Sequence, residues 1–170
     1  VEIFKAAKRN KLLTSYVSNG NATPEVIDYV APWLDLFKID LKGFQDKRYR
    51  ELGGVLNNVL DTIRIAYDRK LWVEIVTLIV PGFNDSDDEL KDIARFIKSV
   101  SADIPWHVTA FHSDCKMDSP RFTPREVITK AVEIGLREGL HFVYGGNVAG
   151  TAKDLETTRC PNCGKILIER

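Results

Sequence analysis

The chain has a single methionine, Met117, and begins instead with Val1 inside a helix-like segment. A reading frame ordinarily supplies an initiator, so the sequence is expected to be an excised, processed or truncated piece of a longer protein. Cysteine is scarce and odd in number, at three, which makes no disulfide framework. No apolar run reaches the roughly 18 residues that cross a bilayer. The first residues lack a charged start followed by an apolar stretch and a cleavage site, so no secretory signal is visible and a cytoplasmic location is expected. Charge of one sign is not in excess either: 24 Lys and Arg balance 24 Asp and Glu. That argues against a broad surface for nucleic acid or anionic membrane. Missing too are a G-x-x-x-x-G-K-[ST] phosphate loop and any legible Ser/His/Asp or Cys/His arrangement. Gly53-Gly54 does not follow a strand, so it is no dinucleotide loop.

What is present is globular composition: 170 residues, 44% apolar and 28% charged, enough to bury a core. The pattern alternates. Residues 2–11 read as a helix and 12–17 as a short strand. Ser18-Asn19-Gly20-Asn21 is a loop, since Asn and Gly tolerate positive φ. Thr23-Pro24 reads as an N-cap and first helical residue. A strand is expected over 36–41, helices over 45–52 and 55–70, and the richest β-branched strand over 72–80, stopped by Pro81-Gly82. Ser86 to Glu89 and Thr123 to Glu126 both fit a capping box. Strands over 106–111 and 141–144 follow, with a helix between them. Strands separated by single amphipathic helices need crossover connections, which predicts a parallel sheet of right-handed βα units, either a (β/α) barrel or a doubly wound sheet.

Both architectures place chemistry at the carboxyl ends of the strands. Ser18, Asn19, Gly20 and Asn21 follow the first strand. Asp40 and Lys42 end the second, two residues apart and so on one face. Pro81, Gly82, Asn84 and Asp85 follow the third, His112, Ser113 and Asp114 the fourth, and Gly145, Gly146 and Asn147 the fifth. Each has an ordinary structural reading: an Asn-Gly turn, an Asp40–Lys42 ion pair, a loop histidine. His107 reads as structural, inside its strand and on the opposite face from His112. His141 starts a strand, at the other rim, and Trp33, Trp72 and Trp106 read as packing residues. The set is more telling than any member.

These motifs resemble a known family. Ser-Asn-Gly at 18–20, Ile-Asp-Leu-Lys at 39–42, Val-Pro-Gly-Phe-Asn-Asp at 80–85 and Ala-Phe-His at 110–112 occur in the order found in the C-terminal two-thirds of radical S-adenosylmethionine (SAM) enzymes of the pyruvate formate-lyase activating type. Pro105-Trp106-His107, Gly146-Asn147 and Cys-Pro-Asn-Cys-Gly at 160–164 bring it nearest the branch called the AmmeMemoRadiSam system radical SAM protein. The resemblance implies an α/β fold: a partial (β/α) TIM-type barrel of about five parallel strands over residues 1–150, lacking the first two, followed by a tail over 151–170. It also implies a [4Fe-4S] cluster that cleaves SAM to a 5′-deoxyadenosyl radical, and in activating enzymes a protein partner whose glycine gives up a hydrogen. Asp40, Lys42 and His112 would be polar contacts to SAM, with Ser18 and Asn19 beside it and the backbone from Val80 to Gly82 against the adenine.

The chain departs from that pattern in one respect. Cys115, Cys160 and Cys163 do not make C-x-x-x-C-x-x-C, so the cluster ligands are expected upstream and the isolated chain is expected to be inactive. Cys160 and Cys163 can present two thiolates to a metal, with zinc the candidate, but tetrahedral zinc needs four ligands. Two other functions remain open: an aldolase-like barrel with Lys42 as Schiff base, and a non-catalytic binding module centred on the zinc knuckle. A barrel without its first strands exposes an edge, which predicts self-association or partner docking along residues 12–17.

Overall fold

The computed structural model describes residues 1–117, 119–148, 150 and 153–170. Five strands form one sheet in the order β1 (Ser15–Ser18), β2 (Leu36–Asp40), β3 (Trp72–Ile79), β4 (Trp106–Ala110) and β5 (Val143–Gly146). Sequential order with helices between strands is what repeated βα units build. The chain divides into two compact units, residues 1–41 with 45–75, and residues 42–44 with 76–170.

In the first unit, α1 (Glu2–Arg9) precedes β1, and α2 (Pro24–Val30), α3 (Asp46–Glu51) and α4 (Leu56–Asp68) follow. β1 and β2 run parallel, Ser15 opposite Leu36 through Ser18 opposite Ile39. Burial alternates along β2. Phe37 and Ile39 are buried, whereas Leu36, Lys38 and Asp40 are half-buried. Ile27, Val59, Ile63 and Ala66 form the buried helical stripe of this unit. Gly20 is required where it stands: its φ is +71°, and a Cβ there would lie 2.6 Å from Ile39 Cγ2. Thr23 caps α2 as its sequence suggests, its hydroxyl accepting from Val26 N–H.

The expected strand over 12–17 starts later, at Ser15. Lys11 adopts a left-handed φ of 57°, and Thr14 is drawn into a different network. Its N–H donates to Asp35 Oδ2 at 2.7 Å and its hydroxyl to the Trp33 carbonyl at 2.6 Å. Lys8 pairs with the same carboxylate. The Lys8 hydrogen bond first, and then the Thr14 amide, hold the Asp35 carboxyl below the usual aspartate range.

In the second unit, α5 (Asp87–Val100) and α6 (Arg125–Arg137) accompany β4, β5 and the end of β3. β4 and β5 are parallel, from Trp106 opposite Val143 to Thr109 opposite Gly146. Trp106 is fully buried, and its indole N–H donates to the buried Thr77 hydroxyl at 2.9 Å. Helix α6 can approach this ring because residue 135 is glycine; a Cβ there would lie 2.9 Å from Trp106 Cε3. Ser86 caps α5, accepting from Glu89 N–H. The second expected capping box does not form. Pro124 is the N-cap of α6, and Thr123 is buried instead. Its hydroxyl accepts from Phe111 N–H at 3.0 Å and donates to the Ile79 carbonyl at 2.6 Å. Beyond β5, α7 (Lys153–Glu156) leads to an antiparallel pair, β6 (Thr158–Arg159) and β7 (Ile166–Ile168).

Thr123→Val keeps the shape but orphans two buried backbone groups, and should cost about 2 kcal/mol in urea unfolding. Asp35 has a depressed folded-state value, so its contribution is complete above the ordinary aspartate value of about 3.9 and is lost as pH falls through the lower folded value. Asp35→Asn should therefore flatten the acid limb of stability against pH, and leave a smaller difference between neutral and acid midpoints than wild type shows.

Candidate functional site

Two stretches of strand-end residues, one in each unit, hold the expected site residues. In the first unit, Ser18 closes β1, and its hydroxyl accepts from Gly20 N–H at 3.1 Å. Asn19 is exposed, and its side-chain oxygen accepts from Asn21 N–H at 3.1 Å. Both side chains shape the turn. Asp40 is the half-buried last residue of β2.

In the second unit, one side chain organises the strand ends. Asn84 is 2% exposed. Its side-chain oxygen accepts from Val80 N–H at 2.7 Å, and its amide donates to the Leu78 and Lys42 carbonyls, each at 2.8 Å. The Glu89 carboxylate takes the Phe44 N–H. Segment 42–44 is thus gripped at both ends, and the residue between is glycine, because a Cβ on Gly43 would lie 2.9 Å from Glu89 Oε1. The loop beyond β3 is fixed by Gly82 N–H donating to Asp85 at 2.9 Å. Gly82 is exposed, with φ +74° and open space where a side chain would stand. Val80 and Lys42 are half-buried. His112 is exposed, two residues beyond β4, and follows Phe111, whose N–H Thr123 holds.

Sequence reasoning missed a polar strand face. Along β4, Trp106, Val108 and Ala110 are buried while His107 and Thr109 are half-buried. His107 pairs in register with Tyr144 and stacks on it, ring centroids 5.3 Å apart. The Tyr144 hydroxyl lies 3.0 Å from the Thr158 hydroxyl. His107 lies inside β4, which ends at Ala110, two residues before His112. The legible signal was the alternation Trp-His-Val-Thr-Ala, in which the polar members share one face. In the first unit, Lys38 of β2 and Glu74 of β3 lie 3.8 Å apart. His141 pairs with Asp103 on an exposed surface.

Cys160 is half-buried, Cys163 and Cys115 are exposed, and all three are free thiols. Among the described residues no group of three or more His, Cys, Asp or Glu is placed to hold a metal. The described donors therefore do not fit an iron–sulfur cluster. No helix among them is long and apolar enough to cross a membrane.

Similarity to known proteins follows the fold. An uncharacterized protein of Methanocaldococcus jannaschii is 36% identical over 165 residues, covering 96% of this chain and 48% of that protein. The choline trimethylamine-lyase activating enzyme of Oleidesulfovibrio alaskensis is 30% identical over 99 residues, 58% of this chain and 32% of the enzyme. Relatives of this chain include activating enzymes. The chain spans about half the length, or less, of these curated relatives. A domain of a pyruvate-formate lyase-activating enzyme from Bacteroides vulgatus superposes with a TM-score of 0.76 at 20% identity, covering 86% of this chain and 88% of that one, which establishes the fold. No protein-family profile matches.

Asn84→Asp retains the acceptor for Val80 N–H but turns a carboxylate toward two carbonyls. It should destabilise by about 3 kcal/mol or more, because a buried charge is left without donors. A thermal or urea midpoint equal to wild type would remove Asn84 from this role.

Proposed function

We propose that the protein is part of a radical SAM enzyme of the activating type, in the AmmeMemoRadiSam branch, and that its strand-end residues bind SAM. The observation that carries this reading is the ordered placement of Asp40, Lys42, Val80-Pro81-Gly82 and His112 at strand ends of a fold shared with an activating-enzyme domain. Sequence similarity to an activating enzyme over 99 residues supports it independently.

The residues suit such a ligand in their chemistry. A carboxylate at Asp40 accepts from ribose hydroxyls or an ammonium, Lys42 complements a carboxylate, and the His112 imidazole hydrogen-bonds a hydroxyl. Open space at Gly82 lets a flat ring lie against backbone, and the Asn84 and Asp85 hydrogen bonds hold that backbone in place before anything binds. Ser18 and Asn19 contribute a rigid turn. Bound SAM, given an electron from a [4Fe-4S] cluster, would supply a 5′-deoxyadenosyl radical for hydrogen abstraction. The cluster's ligands are not among the described residues, so no step is assigned to it in this chain. A protein substrate is the partner class this reading favours, with neither nucleic acid nor membrane involved, and a cytoplasmic setting.

A second contact surface belongs to the same proposal. β1 is an edge of the sheet, and Leu12, Leu13, Tyr16 and Val17 on and before it are 52–87% exposed. An apolar open edge invites another strand, so the isolated chain should self-associate there; a strictly monomeric light-scattering profile would oppose this.

The SAM reading is tested by calorimetry with SAM and the double variant Asp40→Ala/His112→Ala. Hydrogen bonds to charged groups contribute about 1.5–3 kcal/mol each, so affinity should fall at least about tenfold. Unchanged affinity would contradict the assignment.

A further inference from the structure

The SAM reading uses Lys42 and leaves a buried carboxylate of the same unit without a task. Glu89 stands in the first turn of α5 and is 4% exposed. Helix α5 does not need that burial. Ser86 already caps it by accepting from Glu89 N–H, and Asp87 and Asp88 already place negative charge in the first turn, where the helix dipole favours it. Taking a carboxylate out of water is unfavourable unless hydrogen bonds replace the water. The Glu89 carboxylate is directed instead at segment 42–44, where it accepts from Phe44 N–H.

Three contacts converge on that segment. Asn84 donates to the Lys42 carbonyl at 2.8 Å, Glu89 holds the Phe44 amide, and the Phe44 ring packs on Phe96 with centroids 5.9 Å apart. Glu89 and Phe96 are about two turns apart on the buried face of α5, so one helix grips Phe44 by its backbone and by its ring. Between the two backbone anchors Gly43 is buried. Its backbone lies outside the left-handed region, so conformation does not demand glycine. Space does, because a Cβ would stand 2.9 Å from Glu89 Oε1. A stretch with no regular secondary structure is thus fixed residue by residue, and its first member is the half-buried Lys42.

We propose that Glu89 is a positioning residue for Lys42, acting through the backbone of 42–44, and that with Gly43 it sets affinity for the carboxylate-bearing arm of the ligand. This rests on the reading in which Lys42 complements the SAM carboxylate. Glu89 itself touches no ligand. It removes freedom from the backbone that carries the lysine before anything binds.

Calorimetry with two ligands tests this. SAM carries the amino-acid arm, whereas 5′-methylthioadenosine has the same nucleoside without it. Glu89→Ala should weaken SAM binding about tenfold, the size of one lost charge-assisted hydrogen bond, and leave 5′-methylthioadenosine binding unchanged. Lys42→Ala should show the same pattern, and the two changes together should be no worse than Lys42→Ala alone. Glu89→Gln keeps an oxygen that can accept from Phe44 N–H and should recover most of the loss. Gly43→Ala strains the same contact from the other side without removing a polar group, and should copy Glu89→Ala even where that variant fails to fold. Equal losses for both ligands would mark a merely structural role and overturn the proposal. So would a Lys42→Ala effect on SAM that neither Glu89→Ala nor Gly43→Ala reproduces. Wild type that binds neither ligand, or Lys42→Ala without effect, would instead remove the SAM reading, and this inference with it.

Discussion

The strand ends of the second unit depend on one buried amide. Asn84 joins both sides of the end of β3 to the Lys42 carbonyl, so the backbone at 78, 80 and 42 is held by a single side chain. No apolar residue could do this, because the groups are two acceptors and one donor, and only a carboxamide offers the complementary set. Glu89 at the start of α5 fixes Phe44 in the same way. Lys42 therefore leaves a fixed backbone, and Gly82 follows a fixed strand end. A site that must position a polar ligand needs such support more than it needs extra contacts.

The two faces of the strands divide the labour. Residues such as Ile39, Ile75, Ile79, Trp106 and Val108 are buried and supply the apolar stabilisation of their units. The half-buried residues that alternate with them are polar or aromatic at Lys38, Glu74, His107, Thr109 and Tyr144 but apolar at Val76 and Leu78. A purely structural sheet covered on both faces would read as continuous apolar runs. The period-two alternation in β4 instead leaves the face of His107 and Thr109 more open than that of Trp106 and Val108.

Much of this was legible before any coordinates. Five strands, their order along the chain, the Thr23 and Ser86 caps and the Pro81-Gly82 stop follow from local rules, and all are present. What local rules could not show were tertiary substitutions of role. Thr123 sits in a capping-box pattern but is drawn to the Phe111 and Ile79 backbone groups, because two buried peptides outweigh one helix end. The start of β1 is delayed because Asp35, distant in sequence, claims Thr14. The stacking of His107 on Tyr144 could not be read locally, because it depends on the register of β4 against β5. Asn84 was placed at the rim by its position, yet its three-way bond required knowing that Lys42 lies beside β3 in the same unit. Among the candidate residues, Ser18 and Asn19 hold a turn at the end of β1, and Asp40, Lys42, Gly82 and His112 lie at or just beyond strand ends with accessible surface.

The central claim is that the strand ends are a ligand site for SAM. Backbone amide NMR of the labelled chain, titrated with SAM, tests it most directly because every residue reports at once. The account predicts shifts confined to Ser18–Gly20, Asp40–Lys42, Val80–Gly82 and His112, with the amides of the 160–164 knuckle and of His141 unmoved. Shifts centred on the knuckle or on the His141 side of the sheet, with the strand ends silent, would contradict it.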